Sequence, residues 1–214
     1  MSRNRKVGST RDAILDAAVE LFVHDGFKET SMDAIANEAE LAKGSLYYHF
    51  ESKEGILDAI LERYRSAMEI RLAAIEADPR LGALEKLLSF AAAIEELNSA
   101  TFTKLHRIRY IDIHQKTLTI QVRSFAPYFA RVMEEGTRSG FFRVTYPLEF
   151  GEILIASAQA LLDPEVDADM SRRVAAFCRL VAMILGVDVS AIEQSLGSVM
   201  HASRGDTFGK ERGS

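Results

Sequence analysis

Ala42 to Glu54, AKGSLYYHFESKE, is the stretch whose reading decides this 214-residue chain. At 3.6 residues per turn, Leu46 and Phe50 fall on one edge of a short helix, and Gly44, Ser45, Tyr47 and Tyr48 on the other. One edge is suited to packing and the other to presentation. The presented edge holds a glycine, a serine and two tyrosines, with Lys43 at the helix start, where readers of a DNA major groove place their contacting side chains. Paired tyrosines also suit half-buried packing, and Lys43 by itself is ordinary surface. Gly44 tips the balance, because glycine inside a helix costs about 1 kcal/mol relative to alanine and is easier to understand where something approaches the backbone closely. Ser52 reads as the N-cap of the next helix, whose first amides and Lys53 could hold a phosphate.

Upstream lie two more helices. Ile14, Ala17, Ala18, Leu21 and Phe22 share the face of a helix from Thr10 to about Asp25, which Gly26 is placed to stop. Thr30 followed by Asp33 resembles a capping box for a short second helix carrying Met32, Ile35, Ala36 and Ala39, and a tight turn is expected at Glu40 and Leu41. Three short helices with a tight turn between the last two form a helix-turn-helix, whose third helix reads and whose second braces. Thr30 and Ser31 are candidates for bonding phosphate. Arg3, Arg5, Lys6 and Arg11 precede the unit with no acid among the first eleven residues, as either a DNA-contacting arm or a solubilising tail.

The run TRDAILDAAVELFVHDGFKETSMDAIANEAELAKGSLYYHFESKEGILDAIL resembles the DNA-binding domain of the TetR/AcrR family of bacterial transcriptional repressors, over about residues 8 to 61. The resemblance rests on Ala18, Leu21, Phe22, Gly26 and Phe27, on TSMDAIA, and above all on KGSLYYHF with the SKE that follows. It implies contacts to bases or backbone by Lys43, Gly44, Ser45, Tyr47 and Tyr48. Phosphate contacts are implied for Thr30, Ser31, His49 and Lys53, with Leu46 and Phe50 in the core. His49 lies between the two edges of the wheel, so packing is as good a reading for it.

Bulk charge does not point to nucleic acid: the net charge is -5, and residues 1–53 carry seven Lys/Arg against nine Asp/Glu. A 48% hydrophobic content supports a real core. With no apolar run of 18 residues and no signal-peptide pattern at the N-terminus, the expectation is a cytoplasmic protein. The single Cys178 excludes an internal disulfide or cysteine cluster within one chain and reads as a small buried residue.

The rest of the chain keeps a helical period and loses its motifs, so the fold class is all-α. Domains are expected as a basic arm at 1–9, the helix-turn-helix at 10–52, a helical ligand-binding and dimerisation domain at 53–202, and a disordered tail at 203–214. The fourth helix runs from Ser52 to about Ala77, ended by Asp78-Pro79. Further helices are expected at Leu81–Leu97, Thr101–Gln115, Thr119–Gly136, Pro147–Leu162, Asp169–Leu185 and Ser190–His201, with Pro127 either kinking the third or marking a fresh start near Phe125. GTRSGFFRVTYP, residues 136–147, reads as a structured connector.

Phe90, Ile94, Phe102, Phe125, Tyr128 and Phe177 suit any helical core, and the resemblance adds a reason for some to line a ligand cavity. His106, Tyr110 and His114 share a face, with Gln159 on another helix, either as a polar handle in an apolar pocket or as an exposed stripe. The two histidines lie two turns apart with no convergent acid, so no metal or cofactor is called for. ILIASAQALL and VAAFCRLVAMIL are apolar around most of their circumference and need cover on more than one side. The resemblance assigns that cover to a second subunit; an intramolecular core is the other possibility.

These readings converge on a homodimeric, ligand-responsive repressor of a palindromic DNA operator, released by a small hydrophobic or aromatic effector. The rivals are a family member that activates or needs no ligand, and an all-α enzyme or carrier. No Gly-rich phosphate loop, nucleophile with base, or HExxH supports catalysis, and Glu95-Glu96 and Glu134-Glu135 are chain neighbours that point apart on a helix.

Overall fold

The computed structural model describes residues 9–97, 111–161 and 170–195, and every regular element among them is a helix. In chain order these are α1 (Thr10–His24), α2 (Met32–Glu38), α3 (Lys43–His49), α4 (Lys53–Glu76), α5 (Ala83–Leu97), α6 (Ile111–Arg138), α7 (Pro147–Leu161) and α8 (Met170–Leu185), followed by a helical turn at 189–195. The all-α fold class expected from the sequence is the one observed. By contacts the chain divides into two compact units, residues 1–67 with 96–117, and 68–95 with 118–214.

The first unit contains the helix-turn-helix. α1 starts at a complete capping box: the Asp12 amide donates to Ser9 Oγ at 3.2 Å, and the Ser9 amide donates back to the Asp12 carboxylate at 3.2 Å. The Ser9 hydroxyl, which donates to the Asp12 carboxylate at 2.8 Å, and then the Ser9 amide hold that carboxyl below the usual aspartate range. Asp25 caps the far end, and Gly26 follows with φ of +95°, a left-handed conformation that a side chain would resist. Ile14, Leu15, Ala18, Phe22, Ile35, Leu46, Ile56 and Ile60 form the buried core, with Phe27 set edge-on against Phe22 at 4.9 Å. Each large side chain so buried contributes about 1.5–3 kcal/mol.

α2 begins one residue later than the sequence suggests. Ser31, not Thr30, is its N-cap, accepting the Ala34 amide at 3.1 Å, while Thr30 faces inward and donates its hydroxyl to the Gly26 carbonyl at 2.7 Å. Two adjacent hydroxyl residues have nearly equal capping propensity, and burial of Thr30 against the loop decides between them. The turn into α3 falls where expected: Glu40 is left-handed with φ of 56°, and the Leu41 amide reaches back to the Ala36 carbonyl.

In the second unit, Phe90, Phe125, Phe129, Val132, Met133, Phe142, Leu154 and Leu185 are buried. Two ion pairs accompany them, Lys86 with Glu135 at 2.9 Å and Arg131 with Glu76 at 2.6 Å. α6 corrects the sequence reading. A break between residues 115 and 119 was expected, yet one helix runs from Ile111 to Arg138, straight through Pro127, so there is no fresh start near Phe125. Pro127 removes one amide donor at a cost of about 3 kcal/mol, which the burial of Phe125, Ala126, Phe129 and Ala130 on the same turns offsets. α5 likewise starts at Ala83 rather than Leu81, because Glu85 accepts the Gly82 amide at 2.8 Å and closes the first turn there. The expected helical segments at 101–110 and 196–201, and the tail at 203–214, lie outside the described residues.

The connector after α6 is ordered by its own backbone. The Phe141 and Phe142 amides both donate to the Gly136 carbonyl, and the Arg143 amide donates to the Leu185 carbonyl at the end of α8 at 2.9 Å. No single helix among the described residues is long and apolar enough to cross a membrane.

Candidate nucleic-acid interface

α3 divides as its sequence pattern requires. Leu46 is fully buried and Phe50, which ends the helix, nearly so, while Lys43, Gly44, Tyr47, Tyr48 and His49 are exposed and Ser45 is half-buried. Tyr48 is 86% exposed, an extreme value for an aromatic side chain with no packing duty. His49 stands edge-on to it at 5.3 Å and is also in solvent. A methyl group placed on Gly44 would meet nothing within 4 Å. Nothing among the described residues therefore accounts for the glycine; an external surface brought close to the helix backbone would.

Lys43 is held rather than free. Its ammonium pairs with the Asp33 carboxylate at 2.8 Å and lies 5.9 Å from the Tyr47 ring centre. Asp33 raises the lysine pKa above its ordinary value, so the charge is secure at neutral pH. Sequence reasoning took Asp33 for the capping-box partner of Thr30 and missed its pairing with Lys43. Its signal was only an acid in the first turn of α2, ten positions before Lys43.

The candidate phosphate ligands behave differently from one another. Thr30 is 3% exposed, and its single O–H is committed to Gly26. Ser31 is exposed and uses its oxygen as an acceptor for the α2 cap, which leaves its O–H able to donate outward. Arg11 lies over the Phe50 ring at 5.3 Å, beside the C-terminal end of α3. Lys53 turns its ammonium onto three main-chain carbonyls, Phe27 at 2.7 Å, Lys28 at 2.8 Å and Thr30 at 3.1 Å, and sits 4.9 Å from the Phe27 ring centre. Ser52 accepts the Gly55 amide at 3.1 Å in the first turn of α4, as its reading as the N-cap requires.

Of the candidate ligand-pocket residues, the structure brings Phe90 and Tyr128 together edge-on at 6.4 Å. Phe125 is fully buried one helical turn before Phe129, which also meets Phe90, at 5.2 Å. Ile94 and Phe177 are half-buried on α5 and α8. Phe102, His106 and Tyr110 lie outside the described residues, as do the side chains of His114 and Gln159. Thr117 and Gln121, one turn apart on α6, are buried polar residues that the sequence reading passed over, and the Thr117 hydroxyl oxygen has no hydrogen-bond partner among the described residues. A polar pair at i, i+4 on the buried face of an amphipathic helix was the available signal.

Comparison with known proteins agrees with this geometry. The family described as bacterial regulatory proteins, tetR family, matches residues 14–60, and the tetracyclin repressor-like C-terminal domain matches residues 94–180. The HTH-type transcriptional regulator SrpR of Pseudomonas putida is 26% identical over 149 residues, 65% of this chain and 67% of that protein. The HTH-type transcriptional repressor KstR2 of Rhodococcus jostii is 28% identical over 146 residues, 65% and 71% of the two chains. A crystal structure of a TetR/AcrR-family regulator from Thermobifida fusca superposes with a TM-score of 0.62, at 24% identity, over 81% of this chain and 97% of the other. A capped three-helix head that turns its aromatic edge outward, joined to a helical C-terminal region, thus belongs to a member of the TetR family of bacterial transcriptional regulators.

Proposed function

We propose that this regulator is a homodimeric repressor that reads a palindromic operator with α3 and is released by a small hydrophobic or aromatic effector. The observation that carries the reading is the outward edge of α3, where Gly44 has no packing neighbour among the described residues, Tyr47 and Tyr48 face solvent and Lys43 is fixed beside Tyr47. Lys43, Ser45 and Tyr48 supply donors for base edges and phosphates, Gly44 admits the DNA backbone, and Ser31 with Arg11 and His49 flank the reading edge.

A second copy of the chain is supported by two things. One short helix spans too few bases for specificity, whereas twofold symmetry matches half-sites about 34 Å apart. In addition, α7 and α8 leave Ile153, Val174, Leu180 and Met183 exposed, Met183 by 79%, on helices already apolar around most of their circumference. An effector among the aromatic residues of the second unit that prefers the DNA-incompetent arrangement would lower operator affinity. A coupling of about 1 to 3 kcal/mol weakens binding roughly 5- to 150-fold.

The test is fluorescence anisotropy on the DNA upstream of the protein's own gene across a salt series, with random DNA as control. Binding that exceeds random DNA by about 10³-fold or more and is lost in Lys43→Ala and Tyr48→Ala is expected. Equal, weak, steeply salt-dependent binding to both DNAs, or none to a random-sequence pool, overturns it. Repression itself is read from a target reporter in a deletion strain, which rises if the protein represses and falls if it activates.

A further inference from the structure

We propose that Lys53 is a positioning residue and not a phosphate ligand: its ammonium closes the loop between α1 and α2 onto the first turn of α4 and so sets how the helix-turn-helix is held. The inference rests on the DNA-binding reading above and adds how the reading head is kept in place. A lysine ammonium has three N–H donors and no acceptor. Here three carbonyls converge on it, those of Phe27, Lys28 and Thr30 at 2.7, 2.8 and 3.1 Å, and the Phe27 ring covers another side at 4.9 Å. Each donor has a partner, so no N–H is left for a DNA phosphate.

The location also argues for a tie. A cation in the first turn of a helix opposes the helix dipole, so Lys53 is badly placed for α4 alone. The loop explains it. Residues 26–30 turn sharply after Gly26, and the bend points the carbonyls of Phe27, Lys28 and Thr30 to one side, which makes a concavity of negative dipoles that a cation must fill or water must enter. Charge-assisted bonds of this length are about twice as strong as neutral ones. The filled site joins α4 to the loop that ends at Ser31, the N-cap of α2, and α2 carries Asp33, which holds Lys43 of the reading helix. Arg63 makes a second tie between α4 and α1, through Asp16 at 2.8 Å. Any displacement of the first turns of α4 is therefore passed to the bracing helix through Lys53, and from it to α3.

The test uses the full chain with Lys53→Met and Lys53→Arg and two readouts. The first is backbone amide hydrogen exchange at residues 27–34 without DNA. The second is operator affinity as a function of salt. For Lys53→Met, exchange at 27–34 is expected to accelerate about tenfold or more as the loop opens. Affinity should fall about tenfold while the slope of log K against log salt stays at the wild-type value. Arginine keeps the charge, but its planar fork does not fit three carbonyls converging on one point, so Lys53→Arg should show the same accelerated exchange and no recovery of affinity. The opposite pattern overturns the proposal: unchanged exchange, a slope reduced by about 0.9 in Lys53→Met as one phosphate contact is lost, and both affinity and slope restored by Lys53→Arg. If Lys53→Met does not fold, Lys53→Arg carries both readouts. If the wild type binds no specific DNA, the functional reading fails separately and the exchange comparison alone decides: acceleration upholds the tie, and wild-type exchange overturns it.

Discussion

Gly44 in the reading head and Gly136 near the end of α6 are both helical glycines, and they are glycines for opposite reasons. A methyl group on Gly44 would meet nothing, whereas one on Gly136 would lie 2.0 Å from Cδ2 of the buried Phe142 ring. The second glycine is explained from inside the chain, because the connector folds Phe142 back against α6. Among the described residues nothing explains the first, whereas the approach of a partner to the helix backbone would. The comparison extends to the regions around them. The head leaves Lys43, Tyr47, Tyr48 and His49 exposed to solvent, while most of the described second unit is accounted for by its own packing, with the exposed apolar edge of α7 and α8 the exception.

The largest effect that can break this contrast is at Gly136. Gly136→Ala should cost at least about 3 kcal/mol, beyond ordinary overpacking because the overlap is with a ring that is itself enclosed. Chemical denaturation measures it, and a midpoint within error of wild type would show that Phe142 has an easy alternative seat. Gly44→Ala should do the reverse. Helix propensity improves, so stability should rise by about 0.5–1 kcal/mol, while operator affinity falls about 10- to 100-fold as the methyl meets the DNA. A Gly44→Ala protein that binds its operator normally would remove the argument that this glycine admits a partner.

Legibility followed the same division. The head was readable because so many of its residues have a specific duty: Gly26 a left-handed backbone, Leu46 and Phe50 the core, Glu40 the turn, Tyr48 the solvent. A stretch in which each side chain is separately constrained makes a distinctive string. The details that escaped are those decided by partners distant in sequence. Lys53 finds its carbonyls 23 to 26 residues upstream, and Lys43 finds Asp33 ten residues upstream. In the second unit any large apolar residue at the right period serves, so periodicity recovered most of the helices. It broke the continuous α6 in two because whether Pro127 interrupts a helix depends on what its neighbours bury. Thr117 and Gln121 escaped for a related reason, since an isolated polar residue inside an apolar stripe is noise in a pattern and a feature only in a packed structure.

A smaller effect sharpens the account of the outward face. Asp33 is an acid within the reading surface, and in a DNA reader it has to be justified. With both partners exposed, the pair should add little stability, so Asp33→Asn should leave the melting temperature nearly unchanged. Removing a negative charge beside the phosphates should raise affinity for random DNA about two- to fivefold. Operator affinity should rise less, because Lys43 loses the partner that aligns it, and the margin of operator over random DNA should therefore shrink. Equal gains on both DNAs would mean that Asp33 only moderates charge.

The smallest expected effect probes the inward side of the comparison. Glu76 and Arg131 join α4 to α6 by a two-pronged pair, at 2.6 and 2.8 Å, with the guanidinium also 4.4 Å from the Tyr128 ring centre. The hydrogen bonds from Arg131 hold the Glu76 carboxyl below the ordinary glutamate value of 4.5. The stabilisation from this shift is therefore fully present above that ordinary value and is lost as pH falls through the lower, folded one. Because Arg131 is about half-exposed, solvent screening should limit the contribution to under about 1 kcal/mol. Denaturation midpoints taken between about pH 6 and pH 3 should fall less steeply in Glu76→Gln than in the wild type, with the two lines converging at the acid end. Parallel lines would mean that the pair is as strong in the unfolded chain, and that the packing of Phe90, Tyr128 and Phe129 holds this part of the unit together without it.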